Sequence, residues 1–311
     1  MNEKLVVLAG GLSSRMKKSA TQIQIDSRLE QDADKKAKAM IGVGDRQRPL
    51  MDFLLFNARE AGYEDIVIVI GEGDSSVRRH YGPLDRGNVY HGLKVSYAVQ
   101  RIPEGRTKPL GTADALLQAL LSRPDWQDSR FTVCNSDNVY SVSALTALRL
   151  LASSGGMIGY DRAALKFSQS RIEQFAVARK DRDGYLVDII EKPEPADIAA
   201  AMDADGKVAV SMNIWRLSYR QVMPYLQSVP LHPVRMEKEL PVAIRLMIQD
   251  HPRTILLVPL AEEVPDLTSK DDIGSVQQYL RAHFTPSLWD DEDAQVQSEP
   301  ESGPDRKTDD R

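Results

Sequence analysis

The chain has 311 residues, of which 42% are hydrophobic and 27% are charged, so it is long enough to bury a sizeable core as one large domain or two small ones. Nine of its 45 acidic residues and three of its 40 basic residues lie in residues 290–311, which leaves a neutral body with 36 acidic and 37 basic residues. A neutral body argues against a protein that mainly binds nucleic-acid backbones, and no apolar run reaches the roughly 18 residues of a membrane span.

The single cysteine, Cys134, excludes a disulfide within the chain and is typical of a reducing compartment. The apolar segment at residues 5–8 is too short for a signal peptide. We therefore predict a cytoplasmic protein that binds neither nucleic acid nor a membrane. A homo-oligomer is compatible with the sequence, which leaves the oligomeric state open.

Short apolar runs alternate with longer amphipathic runs over the first half of the chain. The short runs are rich in β-branched or aromatic residues and predict buried strands at residues 5–8, 66–70, 95–99, 131–134 and 157–160. Helical spacing predicts helices at residues 50–61, 112–122 and 143–152. This alternation is the signature of βαβ units, and it predicts a mostly parallel sheet covered by helices on both faces.

The second half of the chain has a different pattern. Apolar runs at residues 175–178, 185–190 and 208–217 have no long helix between them, which predicts a mixed or antiparallel extension of the sheet. A helix at 237–248, a strand at 254–258 and a helix at 270–282 follow, and the acidic, Pro- and Ser-rich residues 286–311 are predicted to be a disordered tail. The predicted fold is α/β, a three-layer α/β/α sandwich over residues 1–285 with a mostly parallel, Rossmann-like mixed sheet and a smaller β extension.

A glycine-rich loop, LAGGLSSRM at residues 8–16, follows the first predicted strand. Such a loop lies at the carboxyl end of its strand, where open α/β sheets bind ligands, and its glycines let the backbone approach a phosphate or a base closely. The motifs GxGxxG and GxxxxGK[ST] are absent, so neither a dinucleotide-binding fold nor a P-loop ATPase is indicated. Taken alone, the loop also fits a tight turn with a surface arginine.

LAGGLSSRM resembles the signature loop of the sugar-1-phosphate nucleotidylyltransferases of the pyrophosphorylase type. The loop alone is shared with molybdenum-cofactor guanylyltransferases and with cytidylyltransferases of isoprenoid synthesis. Further motifs follow in the family's order over roughly residues 4–282, and this ordered set is specific for the sugar-phosphate branch. The motifs are KAMIGVGDRQRPLMDFLLFNAREAG, Gln100 followed by PLGTADALLQAL, CNSDN, IIEKP and VPDLTSKDDI.

The resemblance implies an enzyme that takes a nucleoside triphosphate and a sugar-1-phosphate as substrates. An oxygen of the sugar phosphate attacks the α-phosphorus of the triphosphate, which gives a nucleotide-sugar and pyrophosphate, with Mg²⁺ as the cofactor. Such a transfer needs positive charge on the triphosphate and a firm hold on both substrates. The resemblance also favours a pyrimidine triphosphate and a hexose-1-phosphate, although these residues do not define the base or the sugar.

Two cations are the candidate catalytic groups for the triphosphate. Arg15 ends the glycine loop, and a guanidinium pairs with phosphate oxygens bidentately. Lys38 in KAM stands where the family shows its second cation, and the alternative is one solvated lysine beside Lys35 and Lys36. The candidate nucleotide-binding residues are Leu8, Ala9, Gly10, Gly11, Ser13, Ser14, Gln100, Pro109, Gly111 and Thr112.

Pro109, Gly111 and Thr112 belong to the segment at residues 109–113, which resembles the family's nucleotide-base segment. We expect Gly111 to let a planar base approach and Thr112 to cap the helix that follows. The Gln100 amide could read a base edge, or it could be an exposed polar end of its strand. The two readings of Thr112 are compatible, because a helix cap can also line a nucleotide site.

Asp137 in CNSDN and Asp266 in PDLTSKDDI are the candidate Mg²⁺ ligands that the resemblance implies. A carboxylate at the carboxyl end of a strand suits Mg²⁺, which prefers oxygen ligands and holds substrate phosphates. The alternative for Asp137 is an N-cap of the next helix. Asp266 matches an aspartate of the family's Asp-x-Gly-Thr-x-x-Asp turn, but the expected glycine is replaced, so this turn can differ. Asp271 and Asp272 are expected to open the last helix.

The sugar side is predicted from two further motifs. The resemblance implies that Glu191 in IIEKP accepts hydrogen bonds from sugar hydroxyls and that Lys192 holds the sugar phosphate as a catalytic cation. A surface ion pair is the alternative for these two residues. Asn213 in SMNIW lies near the sugar-contact segment of the family, although its pattern is shifted.

The chain is thus predicted to be a sugar-1-phosphate nucleotidylyltransferase. One alternative is a guanylyl- or cytidylyltransferase with a non-sugar acceptor, and another is a nucleotide-binding regulatory protein without turnover. The 22 residues between Arg15 and Lys38 are about twice as many as the resemblance leads us to expect. This stretch is either a longer lid over the triphosphate or a tolerated insertion.

Overall fold

A computed structural model describes residues 3–11, 16 and 26–289. The sheet in this part of the chain is formed by β1 (Lys4–Leu8), β2 (Asp65–Gly71), β3 (Asn88–Tyr90), β4 (Leu93–Gln100), β5 (Arg130–Asn135), β6 (Gly155–Asp161), β7 (Val177–Lys180), β8 (Leu186–Ile190), β9 (Ala209–Val210), β10 (Ile214–Ser218) and β11 (Ile255–Leu260). The helices are α1 (Ser27–Lys35), α2 (Leu50–Glu60), α3 (Ser76–Tyr81), α4 (Thr112–Ser122), α5 (Val142–Arg149), α6 (Gln169–Ile172), α7 (Pro195–Ala201), α8 (Tyr219–Ser228), α9 (Leu240–Asp250) and α10 (Ile273–His283).

The strands form one mixed sheet in the order β3-β4-β2-β1-β5-β10-β6-β9-β7-β8, and β11 pairs with β6. Strands β4, β2, β1 and β5 are parallel, as are β6 and β11, whereas β10 runs antiparallel to both β5 and β6. Leu8 is in register with Val69 and with Asn135. The parallel strands therefore end at a common edge, which is where open α/β sheets bind ligands.

The two faces of the sheet carry separate hydrophobic cores. Along β1, Leu5 and Val7 pack into one cluster with α2, α5 and α10, whereas Val6 packs into the other with α4, α8 and α9. Alternate residues of a strand point to opposite faces, so a strand that is apolar throughout must be covered on both. This arrangement is the predicted three-layer α/β/α sandwich, built on a mixed sheet with a mostly parallel core.

The β extension contains strands β7, β8 and β9 at one end of the sheet. Strands β7 and β8 form an antiparallel hairpin that joins the sheet through β9, which pairs with the end of β6. The run at residues 208–217, predicted as a single strand, is divided into β9 and β10. The division occurs at Asn213, whose φ of 56° is incompatible with a continuous strand.

The folded domain continues beyond the predicted boundary at residue 285. The side chains of Leu288 and Trp289 are buried, and the Trp289 ring stacks on His91 and meets Phe56 edge to face. Two apolar residues at the start of an acidic segment thus pack onto the domain, since burying their surface is favourable. The remainder of the predicted tail, residues 290–311, lies outside the described residues. No helix in the described part of the chain is long and apolar enough to cross a membrane.

Candidate active site

A cleft of about 540 Å³ opens at the carboxyl ends of the parallel strands. It lies between the end of β1, the start of α4, the end of β5 and the segment that leads into α9. Residues from six of the predicted motifs line it. The lining residues are Leu8, Ala9, Gly10, Gly11, Lys38, Gln100, Lys108, Pro109, Gly111, Thr112, Ala115, Asn135, Ser136, Asp137, Glu191, Asn213, Arg235, Glu237, Glu239, Leu240 and Pro241.

The glycine loop begins where β1 ends. The Ala9 amide donates a hydrogen bond to the Val69 carbonyl at 2.9 Å, which continues the sheet pairing one residue beyond β1. A Cβ atom on Gly10 would lie 3.2 Å from the side-chain oxygen of Gln100, whereas one on Gly11 would meet no atom of the described residues within 4 Å. Gly11 is one of the residues that line the cleft. The predicted nucleotide-binding residues Ser13 and Ser14 and the predicted catalytic Arg15 lie outside the described residues.

The Gln100 side chain is buried at the end of β4, and it is not an exposed strand end. Its amide nitrogen donates to the Gly111 carbonyl at 2.9 Å and to the Asp114 carboxylate at 2.8 Å. Both amide hydrogens are thereby occupied, so the side-chain oxygen, beside Gly10, is the atom available to a ligand. This geometry allows Gln100 to accept a hydrogen bond from a base edge.

The structure corrects the expected role of Thr112 as a helix cap. Helix α4 begins after Gly111, and no side chain caps its first turn. The Thr112 hydroxyl instead accepts a hydrogen bond from the Leu240 amide at 3.0 Å, which satisfies an N-terminal donor of α9. Local sequence could not show this, because the acceptor serves a helix that begins 128 residues later.

Gly111 lies at the contact between the predicted base-binding segment and the residues before α9. Its φ is +103°, and a Cβ atom there would lie only 2.6 Å from the Lys238 carbonyl oxygen. The Lys238 backbone also accepts from the Ala113 amide and donates to the Leu110 carbonyl. Glycine is therefore required both by the backbone conformation and by the close approach of a second chain segment.

Lys38 and Asp137 form an ion pair within the cleft. The Lys38 ammonium lies 3.0 Å from the Asp137 carboxylate, and their side chains are 15% and 23% exposed. Lys38 starts a 3-10 turn in which Ala39 and Met40 are buried, so its backbone is anchored in the core. It is thus not simply one of several solvated lysines, and its charge is directed at a candidate metal ligand.

Asp137 and Asp266 are brought together by backbone pairing. Asn138 and Asp266 form an antiparallel bridge, and the Leu267 amide donates to the Asp137 carbonyl at 2.8 Å. The cap of α5 is Ser141, whose hydroxyl accepts from the Ala144 amide, so Asp137 does not cap that helix. The two candidate residues therefore lie on paired backbone segments just after β5, although Asp137 lines the cleft and Asp266 is not among the described residues that line it.

Asp266 is buried next to a second charge of the same sign. Burial is the main cause that raises the pKa of Asp266, to about 6, and the charge of Asp137 raises it further. Arg171 on α6 lowers that pKa through an ion pair of 2.7 Å, and the Thr268 hydroxyl donates to the carboxylate at 2.8 Å. This position favours any cation that can compensate two adjacent carboxylates.

The sequence reasoning missed Arg171. The turn after Asp266 is closed by Asp272, which accepts hydrogen bonds from the amides of Thr268 and Ser269 and forms a capping box with Ser269. Arg171 contacts Asp272 as well as Asp266, so its guanidinium spans this turn. No pattern near Arg171 in the sequence indicated this contact, since its two partners follow about a hundred residues later.

The structure divides the residues predicted for the sugar side. Glu191 lines the cleft and lies 3.7 Å from Arg235, whereas Lys192 is exposed and is not among the described residues that line it. Asn213 lines the cleft with a positive φ, and its amide donates to the Ser211 hydroxyl at 3.2 Å. A non-glycine residue with this backbone conformation is uncommon and is typical of functional sites.

Four charged residues of the cleft were not predicted. Lys108 and Glu237 pair at 2.6 Å, and Arg235 pairs with Glu239 at 2.6 Å as well as with Glu191. The run RMEKEL before α9 carries alternating charges, which was the available signal for this segment. That pattern also fits a solvated helix start. In the structure, contact with Leu110 and Gly111 places this segment at the cleft.

A family model described as nucleotidyl transferase matches residues 27–284. The chain belongs to the nucleotidyl transferase family. This finding confirms the predicted family, and the relatives below support the predicted class of sugar-1-phosphate nucleotidyltransferase. The family match also includes the turn at Asp266, whose sequence departs from the expected motif.

Among curated relatives, this nucleotidyl transferase is 26% identical over 285 residues to a glucose-1-phosphate adenylyltransferase of Streptomyces coelicolor, covering 90% of this chain and 67% of the relative. It is 24% identical over 284 residues to the enzyme of the same name from Cutibacterium acnes, covering 90% and 65%. The chain thus spans about two thirds of the length of these two relatives.

Two solved structures share the fold of this nucleotidyl transferase. A UDP-glucose pyrophosphorylase in complex with UDP-glucose has a TM-score of 0.64 at 16% identity, covering 91% of this chain and 99% of that structure. A UTP-bound UGPase from Acinetobacter baumannii has a TM-score of 0.65 at 18% identity, covering 95% and 99%. At these identities the likeness establishes the α/β fold.

Proposed function

We propose that the protein joins a nucleoside triphosphate to a hexose-1-phosphate, with release of pyrophosphate and formation of a nucleotide-sugar. The observation that carries this proposal is one cleft that gathers the glycine loop, the base segment at Gly111, the Lys38–Asp137 pair and Glu191. Both groups of relatives are named for a glucose compound, and glucose-1-phosphate is therefore our proposed acceptor. The single cysteine supports a cytoplasmic location.

We assign the nucleotide to the half of the cleft formed by β1, β4 and α4. The backbone at Gly10 and Gly11 can approach phosphates closely, and the free oxygen of Gln100 can accept from a base. Lys38 supplies positive charge at the triphosphate, and the predicted Arg15 would add a second cation. Pairing of Lys38 with Asp137 keeps the ammonium in place before the substrate arrives.

We propose Mg²⁺ as the cofactor, held by Asp137 and Asp266. The residues fit this ion, because Asp137 and Asp266 lie on paired backbone segments and offer the oxygen ligands that Mg²⁺ prefers, beside the cations Lys38 and Arg171. No cluster of three or more His, Cys, Asp or Glu in the described residues could hold a metal. Mg²⁺ commonly takes one or two carboxylates together with substrate phosphates, which is the arrangement proposed here. When bound, it would neutralise charge on the reacting phosphates.

We assign the sugar phosphate to the opposite half, between β8 and the segment before α9. Glu191 can accept hydrogen bonds from sugar hydroxyls, and Asn213 lies on the same side of the cleft. Arg235 lines the cleft, and its guanidinium can leave Glu191 and bind the sugar phosphate instead. The 3.7 Å pair of Arg235 with Glu191 is partly exposed and therefore weak. Lys192 remains the proposed second cation for the sugar phosphate.

These assignments describe a transfer by positioning and charge neutralisation. An oxygen of the hexose-1-phosphate forms a bond to the α-phosphorus, while the bond from this phosphorus to the bridging oxygen breaks and pyrophosphate leaves with the electron pair. The phosphate oxygen is already ionised near neutral pH, so no protein base is needed. Lys38 and the predicted cations oppose the negative charge of both phosphate groups as they approach.

The test is a pyrophosphate-release screen of ATP, UTP, GTP, CTP and dTTP against a panel of sugar-1-phosphates, with and without Mg²⁺. We expect Mg²⁺-dependent release with glucose-1-phosphate and one or two of the triphosphates. Both ATP and UTP are needed, because the curated relatives are adenylyltransferases and the solved structures contain uridine compounds. Release of no pyrophosphate with any pair, together with unchanged nucleotide affinity in Asp137→Ala, would favour the regulatory protein.

A further inference from the structure

Helix α1 lies in the long stretch between the glycine loop and Lys38, and it docks onto the turn that follows Asp266. Its apolar side contributes the fully buried Ala33 and the partly buried Leu29 to the main core. Asp32 accepts from the Gly42 amide at 3.4 Å, which ties the helix to the chain beyond Lys38. The helix is therefore fastened on the core side by packing and by a side chain to backbone contact.

On its other side, helix α1 is held by an ion pair with a buried lysine. The Lys270 side chain is 7% exposed, and its ammonium lies 2.9 Å from the Asp34 carboxylate and 3.9 Å from Glu30. Glu30 and Asp34 are four residues apart and so share one face of the helix. A buried ammonium is costly without compensating charge, and the carboxylates of α1 supply such charge, so docking of α1 favours the burial of Lys270.

Lys270 itself stands on a rigid turn. Asp272 closes this turn through the amides of Thr268 and Ser269, and Arg171 binds the turn from the other side. Only residues 36 and 37 separate the end of α1 from Lys38. The position of the helix can therefore influence the direction of the Lys38 side chain, while Ala39 and Met40 anchor the turn that Lys38 starts.

We propose that Lys270 is a positioning residue for the triphosphate half of the cleft. It holds α1 against the turn that carries Asp266, and through the short connection it holds the Lys38 ammonium at the site of the phosphates. Lys270 contacts no substrate in this account and acts through α1. The inference rests on the proposed function for its kinetic consequence, whereas the docking of α1 does not depend on that function.

The test compares Lys270→Met with Lys270→Arg and with the control Arg28→Met. Arg28 is exposed in the first turn of the same helix, away from the connection to Lys38. In Lys270→Met we expect the KM for the triphosphate, measured with both MgATP and MgUTP, to rise about tenfold, as for residues that act on a site through another element. The KM for glucose-1-phosphate should stay within about twofold.

Hydrogen exchange measures the docking of α1 without requiring enzymatic turnover. We expect the amides of residues 30–36 to exchange faster in Lys270→Met, and both exchange and KM to stay near the wild-type values in Arg28→Met and in Lys270→Arg. Should Lys270→Met fail to fold, Asp34→Asn removes the nearer partner from the exposed side and should give the same pattern more weakly.

Three other outcomes decide against one or the other proposal. Equal changes in both KM values, or none, would overturn the positioning role while leaving the proposed function intact. A wild-type protein that consumes no triphosphate would refute the proposed function. Hydrogen exchange at residues 30–36 would then test only whether Lys270 holds α1 in place. Unchanged exchange in both Lys270→Met and Asp34→Asn would refute the docking of α1 by Lys270, whether or not the protein has the proposed function.

Discussion

The Lys38 ammonium lies 3.0 Å from the Asp137 carboxylate, although 99 residues separate them in the chain. This pair joins the proposed triphosphate cation to a proposed metal ligand. Replacing Asp137 by Asn keeps the shape of the side chain but removes the charge that both Lys38 and Mg²⁺ need. The pair is therefore a direct test of the proposed chemistry.

In Asp137→Asn we expect kcat to fall by about 10² or more, since a group that organises charge at a reacting phosphate has an effect of this size. The measurement is pyrophosphate release as a function of Mg²⁺ concentration. Asp271→Asn is the control, because Asp271 is exposed on the neighbouring turn and should retain activity. Equal activity in wild type and Asp137→Asn at all Mg²⁺ concentrations would contradict the metal assignment.

Lys192 and Arg235 can be separated by their effects on the two substrates. In Lys192→Ala we expect the KM for the sugar phosphate to rise about 10-fold to 100-fold, the range for losing a hydrogen bond between charged groups, with little change for the triphosphate. Arg235→Ala should act in the same direction, since Arg235 lines that half of the cleft.

The control for both is Lys207→Ala, which removes an exposed lysine from the β extension. Steady-state kinetics with each substrate varied in turn makes the comparison. If Lys192→Ala instead abolished triphosphate binding and left the sugar side intact, our assignment of IIEKP would be wrong. A raised KM for the sugar phosphate in Arg235→Ala but not in Lys192→Ala would assign binding of the sugar phosphate to Arg235.

The raised pKa of Asp266 predicts a pH-dependent cost to the fold. A carboxyl group with a folded-state pKa of about 6 binds a proton that the unfolded chain releases near pH 4, so its contribution to stability is lost as pH rises toward and through 6. Asp266→Asn lacks this titration. Without metal, the wild type should therefore lose about 1 kcal/mol relative to Asp266→Asn between pH 5 and pH 7.

Urea unfolding at several pH values, with EDTA present, measures this difference. Mg²⁺ at pH 7 should then stabilise the wild type more than the variant, since ligands that bind only the folded state raise its stability. A difference between the two proteins that is independent of pH would show that Asp266 does not titrate in this range.

Thr112 is predicted to stabilise the junction between α4 and α9. In Thr112→Val the Leu240 amide loses its acceptor, and we expect the free energy of unfolding to fall by about 1 kcal/mol. Thr112→Ser keeps the hydroxyl and should lose less. Urea unfolding of the three proteins checks this, and equal stability of wild type and Thr112→Val would refute the role of the hydrogen bond.

The C-terminal boundary can be tested by two truncations. Ending the chain after residue 289 should change the free energy of unfolding by no more than about 0.5 kcal/mol, as for surface changes. Ending it after residue 285 removes the buried Leu288 and Trp289 and should cost about 3–5 kcal/mol, the range for losing a large aromatic side chain from a core. Similar stability of both truncated chains would show that the folded domain ends at residue 285, as the sequence predicts.

Much of the fold could be predicted because its signals are local. The helix predicted at residues 112–122 is α4 with the same bounds, and the strand predicted at 66–70 is β2 with one more residue at each end. Apolar periodicity identifies these elements without knowledge of their neighbours. The division at Asn213 was not predicted, because a positive φ in a non-glycine residue depends on the surrounding structure.

The candidate site was predicted in part, for a similar reason. Motifs identified Lys38, Asp137 and Glu191, which the structure brings into one cleft. Arg171 and Lys270 were not predicted, since their roles arise from partners in other parts of the chain.

By itself, the sequence determined the family, the layered α/β fold and the motif residues, because each of these depends on residue type and short-range spacing. The tertiary structure decided which groups meet: Gln100 is held by Gly111 and Asp114, and Asp266 is buried beside Asp137. It also decided that part of the long stretch after the glycine loop is a docked helix. Such contacts depend on the packing of distant segments, and a buried charge acquires its properties only from the groups that folding brings to it.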